Sequence, residues 1–132
     1  MKNVALWGLQ VLLALAFGAA GVMKLVTPVD QLAASGMAWT TALPPIAVTL
    51  IGVAEVLGAV GLILPAATRI RPELTPVAAA ALGIMQVLAA VFHVARGEGT
   101  QVPVNLVLAL LAFGVFVARR SRRALPPATH RA

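Results

Sequence analysis

The chain has 132 residues, 61% of them hydrophobic, with a mean hydropathy of +0.97, which excludes a soluble domain of ordinary composition and leaves room for one membrane-embedded unit. It has no cysteine, which excludes disulfides, thiolate metal sites, dithiol chemistry and cysteine-linked haem, so no covalently bound cofactor is expected. The net charge of +6 lies beside apolar runs and at the C-terminus, not on an amphipathic face, so it reads as a topology signal and no nucleic-acid partner is expected.

Val4 to Val26 is an apolar run interrupted only by Gln10 and Lys24, long enough to cross a hydrocarbon core of roughly 30 Å. A cleaved signal peptide is the rival reading, with Lys2 as its basic start. The run exceeds an h-region of about 7 to 15 residues, and further apolar spans follow with no soluble domain between them. Thr27 to Pro44 is too polar to span. Within it, Val29 to Met37 fits either a short surface helix opened by Pro28 and loosened by Gly36 or a plain loop, and Trp39 suits the membrane interface.

A second span is expected over about 46–64, started by Pro44-Pro45 and closed by Pro65 and the turn to Arg69. The third covers about 74–95, with Pro72 and Pro76 at its start, and the Arg96-Gly97-Glu98-Gly99 turn leads to a fourth over about 102–118. Residues 1–118 thus read as an all-α, four-helix transmembrane bundle, and 119–132 as a basic, disordered cytoplasmic tail. With both termini inside, Lys2, Arg69, Arg71, the four arginines after the last span and Arg131 face the cytoplasm, and only Lys24 and Arg96 face outward. That asymmetry favours the N-in, C-in orientation.

Glu55 stands in the middle of the wholly apolar stretch Gly52 to Pro65. A carboxylate at that depth costs roughly 2.5 kcal/mol or more, so it is expected to face the bundle interior and mark a site. Val48, Ile51, Gly52, Gly58, Ala59 and Leu62 share its face, and the small residues among them let neighbouring backbones approach. At about 1.5 Å per residue, Glu55 lies roughly 15 Å from the outer end of its helix, and Gln86 on the antiparallel third helix falls at similar depth. Lys24, His93 and Asn105 form a second layer nearer the outer boundary, while Gln10 shares the Lys24 face in the cytoplasmic half.

Each has a plainer reading. Glu55 could simply anchor helices by hydrogen bonding, Lys24 snorkel to the interface, His93 be a satisfied interfacial polar residue, and Asn105 cap the fourth helix. Two histidines, one in the tail, give no metal-site spacing.

AAGVMKLVTP at 19–28, GVAEVLGAVGLILP at 52–65 followed by Ala66-Ala67-Thr68-Arg69, the Ala89 to His93 spacing and four spans in this order together resemble the DoxX-like family of small bacterial membrane proteins. The resemblance implies a four-helix fold in the bacterial cytoplasmic (inner) membrane and puts Lys24, Glu55, Arg69 and His93 at the family's recurring polar positions. The family's namesake is a membrane subunit of a thiosulfate:quinone oxidoreductase, and other members are associated with oxidative-stress complexes. Since fold does not imply function, the redox association is carried by analogy alone. A chain with no cysteine or haem-ligand pair would leave electrons to a quinone or to a partner protein.

The first expectation is therefore an accessory membrane subunit, attached to a membrane redox partner, whose cavity lined by Lys24, Glu55, Gln86, His93 and Asn105 binds a quinone-like or other amphipathic, lipid-like small molecule. Two rivals stand beside it. One is a homo-oligomeric carrier with Glu55 as the proton-coupled site, and the other is a purely structural or assembly role. No nucleophile–base pair is visible, so no catalytic residue is assigned and an enzyme acting alone is the least expected outcome.

Overall fold

The computed structural model describes residues 3–124. It contains α1 (Asn3–Val26), a short α2 (Val29–Ala34), a 3-10 turn at Ala38–Ala42, α3 (Pro45–Thr68), α4 (Leu74–Ala95) and α5 (Val102–Ala124), with no strand among the described residues. The four long helices are each long and apolar enough to cross a membrane. The fold is the expected all-helical one.

Three boundaries differ from expectation, each for a local reason. The polar connection does form a helix, but it stops at Ala34: Ser35 turns its hydroxyl back to the Leu32 carbonyl, and Gly36 takes a φ of +106°. Pro65 does not close α3. It removes one helical N–H and leaves the Gly61 carbonyl without its usual donor, and the Thr75 hydroxyl of α4 donates to that carbonyl at 3.0 Å. The helix then continues to Thr68. At the other end of the chain α5 runs past the expected limit at Ala118, because Arg119 Nε donates to Gln10 Oε1 at 2.6 Å and Arg122 Nη1 to Asn3 Oδ1 at 3.3 Å, both on α1. Residues 119–124 are therefore helical and not tail. Lys2, Arg131 and the rest of the expected tail lie outside the described residues.

The bundle is built as two antiparallel pairs, α1 with α3 and α4 with α5. At the end that carries the α3–α4 hairpin the pairs are locked together. Ala78 meets Gly61 there, Leu82 fills the notch at Gly58, and Leu6, Leu13, Phe17, Leu62, Ala112 and Val115 close the apolar core. Gln10, fully buried, bridges three helices: its Nε2 donates to the Leu62 carbonyl of α3 at 2.5 Å while its Oε1 accepts from Arg119 of α5, whose guanidinium lies over the Trp7 ring. Towards the opposite end the pairs part, and a cavity opens between them.

The α1–α3 pair is closest at Gly21 and Gly52. A Cβ on Gly21 would lie 2.8 Å from the Gly52 carbonyl oxygen, and one on Gly52 would lie 2.9 Å from the Gly21 oxygen. Backbone is thus in contact with backbone, and neither neighbour can give way. Gly52→Val is expected to cost at least the roughly 1–3 kcal/mol typical of overpacking. Gly8→Ala, where nothing lies within 4 Å, should be neutral or stabilising by up to about 1 kcal/mol. Thermal unfolding of the two variants in one detergent checks the contrast.

Candidate functional site

The contact between Gly21 and Gly52 sets the geometry of the polar groups beside it. One helical turn on from Gly21 and from Gly52 stand Lys24 and Glu55, and with the backbones touching, the two side chains meet inside the bundle. Lys24 Nζ donates to Glu55 Oε2 at 2.9 Å, and the two residues are 7% and 5% exposed. Lys24 therefore does not snorkel outward. Its ammonium also lies 3.5 Å from the Ala20 carbonyl and 5.7 Å from the centre of the Trp39 ring. A charge buried this deeply is tolerated because it is paired, hydrogen-bonded and covered by an aromatic face.

The pair forms part of the wall of a cavity of about 470 Å³ between the two helix pairs. Lys24, Glu55, Gln86, His93 and Asn105, the five side chains singled out in the sequence, all line it, and Gln10 lies apart in the core below. The remaining wall is mostly apolar, supplied by Phe17, Ile51, Met85, Ala89, Phe92 and Leu108 among others. Ala16 of α1, Val104 of α5 and Leu88 of α4 line the cavity and are also exposed on the outside of the bundle, so it reaches the surface between the pairs.

His93, at the last turn of α4, is held by the loop after that helix. Its Nδ1 lies 3.0 Å from Glu98 Oε2, and Glu98 also accepts a hydrogen bond from Arg96. The rings of Phe92 and Trp39 meet His93 edge-on, with centroids 5.6 and 6.0 Å away. Trp39 covers the cavity, carried by the 3-10 turn after Gly36 and Met37. Asn105 does not cap α5. It lies within the first turn, its backbone N–H bonded to Gln101, and its side-chain Nδ2 is buried with no partner among the described residues. The Gln86 side chain, 6% exposed, likewise makes no hydrogen bond among the described residues.

Sequence reasoning missed Met37, Trp39, Phe92 and Gln101 as cavity residues. For Phe92 the signal was present, one position before His93 on the same helix. The three on connections carried none, since nothing in a loop's composition says which helix end it folds over. Among the described residues no three His, Asp or Glu side chains come together in a way that would hold a metal ion.

Removing one member of the Lys24–Glu55 pair leaves an uncompensated buried charge, which costs about 3–5 kcal/mol. Lys24→Met and Glu55→Leu are each expected to lose that much in detergent unfolding, and the double variant to recover most of it; additive losses would refute the pairing. In the loop outside the spans, the Arg96 hydrogen bond and, against partial burial, the His93 contact hold the Glu98 carboxyl below its ordinary value of 4.5. Its contribution is therefore complete above pH 4.5 and lost only as the pH falls through that lowered value. Carboxyl-carbon NMR should show Glu98 titrating below 4.5, and Arg96→Gln should move the midpoint up.

No curated protein and no solved structure matches the chain. The model of the DoxX-like family matches residues 8–115, which takes in all of α3 and α4, most of α1 and α5, the Gly21–Gly52 contact and every polar side chain of the cavity. The chain belongs to the DoxX-like family of multi-pass membrane proteins.

Proposed function

We propose that the protein is a membrane-embedded binding subunit whose cavity takes the head of a neutral amphipathic molecule of quinone type, its ring against the Trp39–Phe92 cluster and its tail in the cleft between the helix pairs. The observation that carries this reading is the buried Asn105 Nδ2, without a hydrogen-bond partner among the described residues, in the wall of a largely apolar cavity that the Gln86 amide also lines. A buried donor with no acceptor costs about 1–3 kcal/mol, and a ligand carbonyl oxygen removes that cost. The cavity volume lies in the range of small-molecule sites, and an apolar wall with a few convergent polar groups is their usual composition.

Glu55 has a different part in this reading. Its carboxylate is engaged by Lys24, so it orients the ammonium and joins α1 to α3, and the ligand contacts fall to Lys24, Gln86, His93 and Asn105. The arginine asymmetry supports N-in, C-in insertion, and in that orientation, in a bacterial cytoplasmic membrane, the cavity would lie in the outer half. Attachment to a cofactor-bearing redox partner rests on likeness to the family's namesake. If electrons pass, the bound molecule or that partner carries them.

The test is native mass spectrometry with organic extraction of protein purified gently from its own membrane. The wild type is expected to retain a quinone-like amphiphile, and Asn105→Leu to hold it roughly three- to tenfold more weakly, the loss of one hydrogen bond. Ala89→Trp, which fills the cavity, should abolish retention. An empty wild-type protein, or a ligand retained unchanged in both variants, would overturn the proposal.

A further inference from the structure

A second recess lies on the outside of the bundle, in the half away from the cavity. Gly58, Gly61 and Ala78 leave a groove of about 420 Å³ between α3 and α4, bordered by Leu57, Leu64 and Leu74 and lined by apolar residues throughout. Leu57, Leu64, Leu74 and Val77 are 46–65% exposed, so in a membrane the groove faces acyl chains. It runs to the α3–α4 hairpin, which carries Arg69 and Arg71.

Both arginines are exposed, and neither guanidinium has a hydrogen-bond or ion-pair partner among the described residues. Both also hold left-handed backbone, with φ of 59° and 49°. Arg69 is the C-cap of α3, and this end of a helix is where glycine commonly adopts that conformation without strain. Two arginines that keep a backbone glycine would hold more easily point to a use for their side chains. Glu73 is the only acid on the hairpin, so the local balance stays positive.

We infer that this groove and hairpin form a site for an anionic phospholipid, one acyl chain lying along Leu57, Leu64 and Leu74 and the headgroup phosphate on Arg69 and Arg71. Charge selects this occupant over a second copy of the chain. A twofold contact through the groove would set each pair of arginines against its own likeness, whereas a phosphate at the membrane surface complements them. Each such arginine contributes about a fivefold gain in affinity for an anionic headgroup. The inference is independent of the cavity ligand.

The test uses the full chain in nanodiscs and in detergent, with dioleoyl phosphatidylglycerol against dioleoyl phosphatidylcholine as probes and lipid retention read by native mass spectrometry. The wild type is expected to prefer the anionic lipid. Arg69→Gly/Arg71→Gly should lose roughly 25-fold of that preference while melting at the same or a higher temperature in lipid-free detergent. Arg69→Gln/Arg71→Gln must lose the same preference. Ala81→Phe, which fills the groove, should weaken retention of both lipids, and Arg120→Gln should change neither. An unaltered preference in either double variant would overturn the proposal. So would equal competition by glycerol phosphate, which has no acyl chain, or a wild-type dimer that Ala81→Phe dissolves.

Discussion

The ion pair between Lys24 and Glu55 depends on a contact that neither residue makes. A carboxylate and an ammonium buried inside an apolar bundle are each costly alone and become tolerable only when their oxygens and protons are paired at short range. That range is set by Gly21 and Gly52, where the α1 and α3 backbones touch and bring the residues one turn further along into register. The ion pair and the glycine contact hold α1 and α3 as one unit. With α1 and α3 joined there, the bundle parts between its two pairs while each pair stays intact.

The other half of the molecule holds the pairs together with hydrogen bonds that cross between them, from Thr75 of α4 to α3 and from Arg119 of α5 to α1. Pro65 frees the Gly61 carbonyl and Thr75 occupies it; Gln10 reaches the neighbouring Leu62 carbonyl and passes its own oxygen to Arg119. Each is a hydrogen bond between helices, a recurrent tie in membrane bundles. The core packs densely below, the cavity lies above, and the stiffness needed to keep a cavity open comes from the half that has none.

The architecture was legible because membrane spans are written in hydropathy: four apolar runs and their breakers gave the helices, and the helical rise put Glu55 and Gln86 at one depth. The depth layering also brought Lys24, His93 and Asn105 within reach, and all five line one cavity. Direction was harder. A lysine two residues from the end of α1 can turn outward to water or inward to a carboxylate, and a helix position fits both. The deciding clue was in the chain, since Gly21-x-x-Lys24 and Gly52-x-x-Glu55 repeat one spacing on two helices, but its meaning needs the crossing point. Arg119 read as a topology signal and serves also as a partner for Gln10, because charge counts carry no partner. Trp39 was placed at the interface by its amphipathic ring, and its edge contacts with Phe92 and His93 depend on a turn set by Gly36.

Charge accounting narrows the chemistry the cavity favours. Glu55 is engaged by Lys24, and Glu98 by Arg96 and His93, so neither carboxylate is left open to a bound cation. An anion would have to compete with Glu55 for the one ammonium, losing a bond already made at 2.9 Å in order to gain another. Among the described residues, what stands open in the cavity wall is an amide donor on Asn105, beside the Gln86 amide and two aromatic rings at the rim. Those groups suit the proposed neutral molecule with an acceptor oxygen on a flat head, whose apolar remainder would lie in the cleft between the helix pairs. A carrier of ionic solute would need the Lys24–Glu55 pair to open in every cycle, at the cost that separating buried charges imposes. A binding site for a neutral amphiphile leaves the pair closed, and with it the contact that holds α1 to α3.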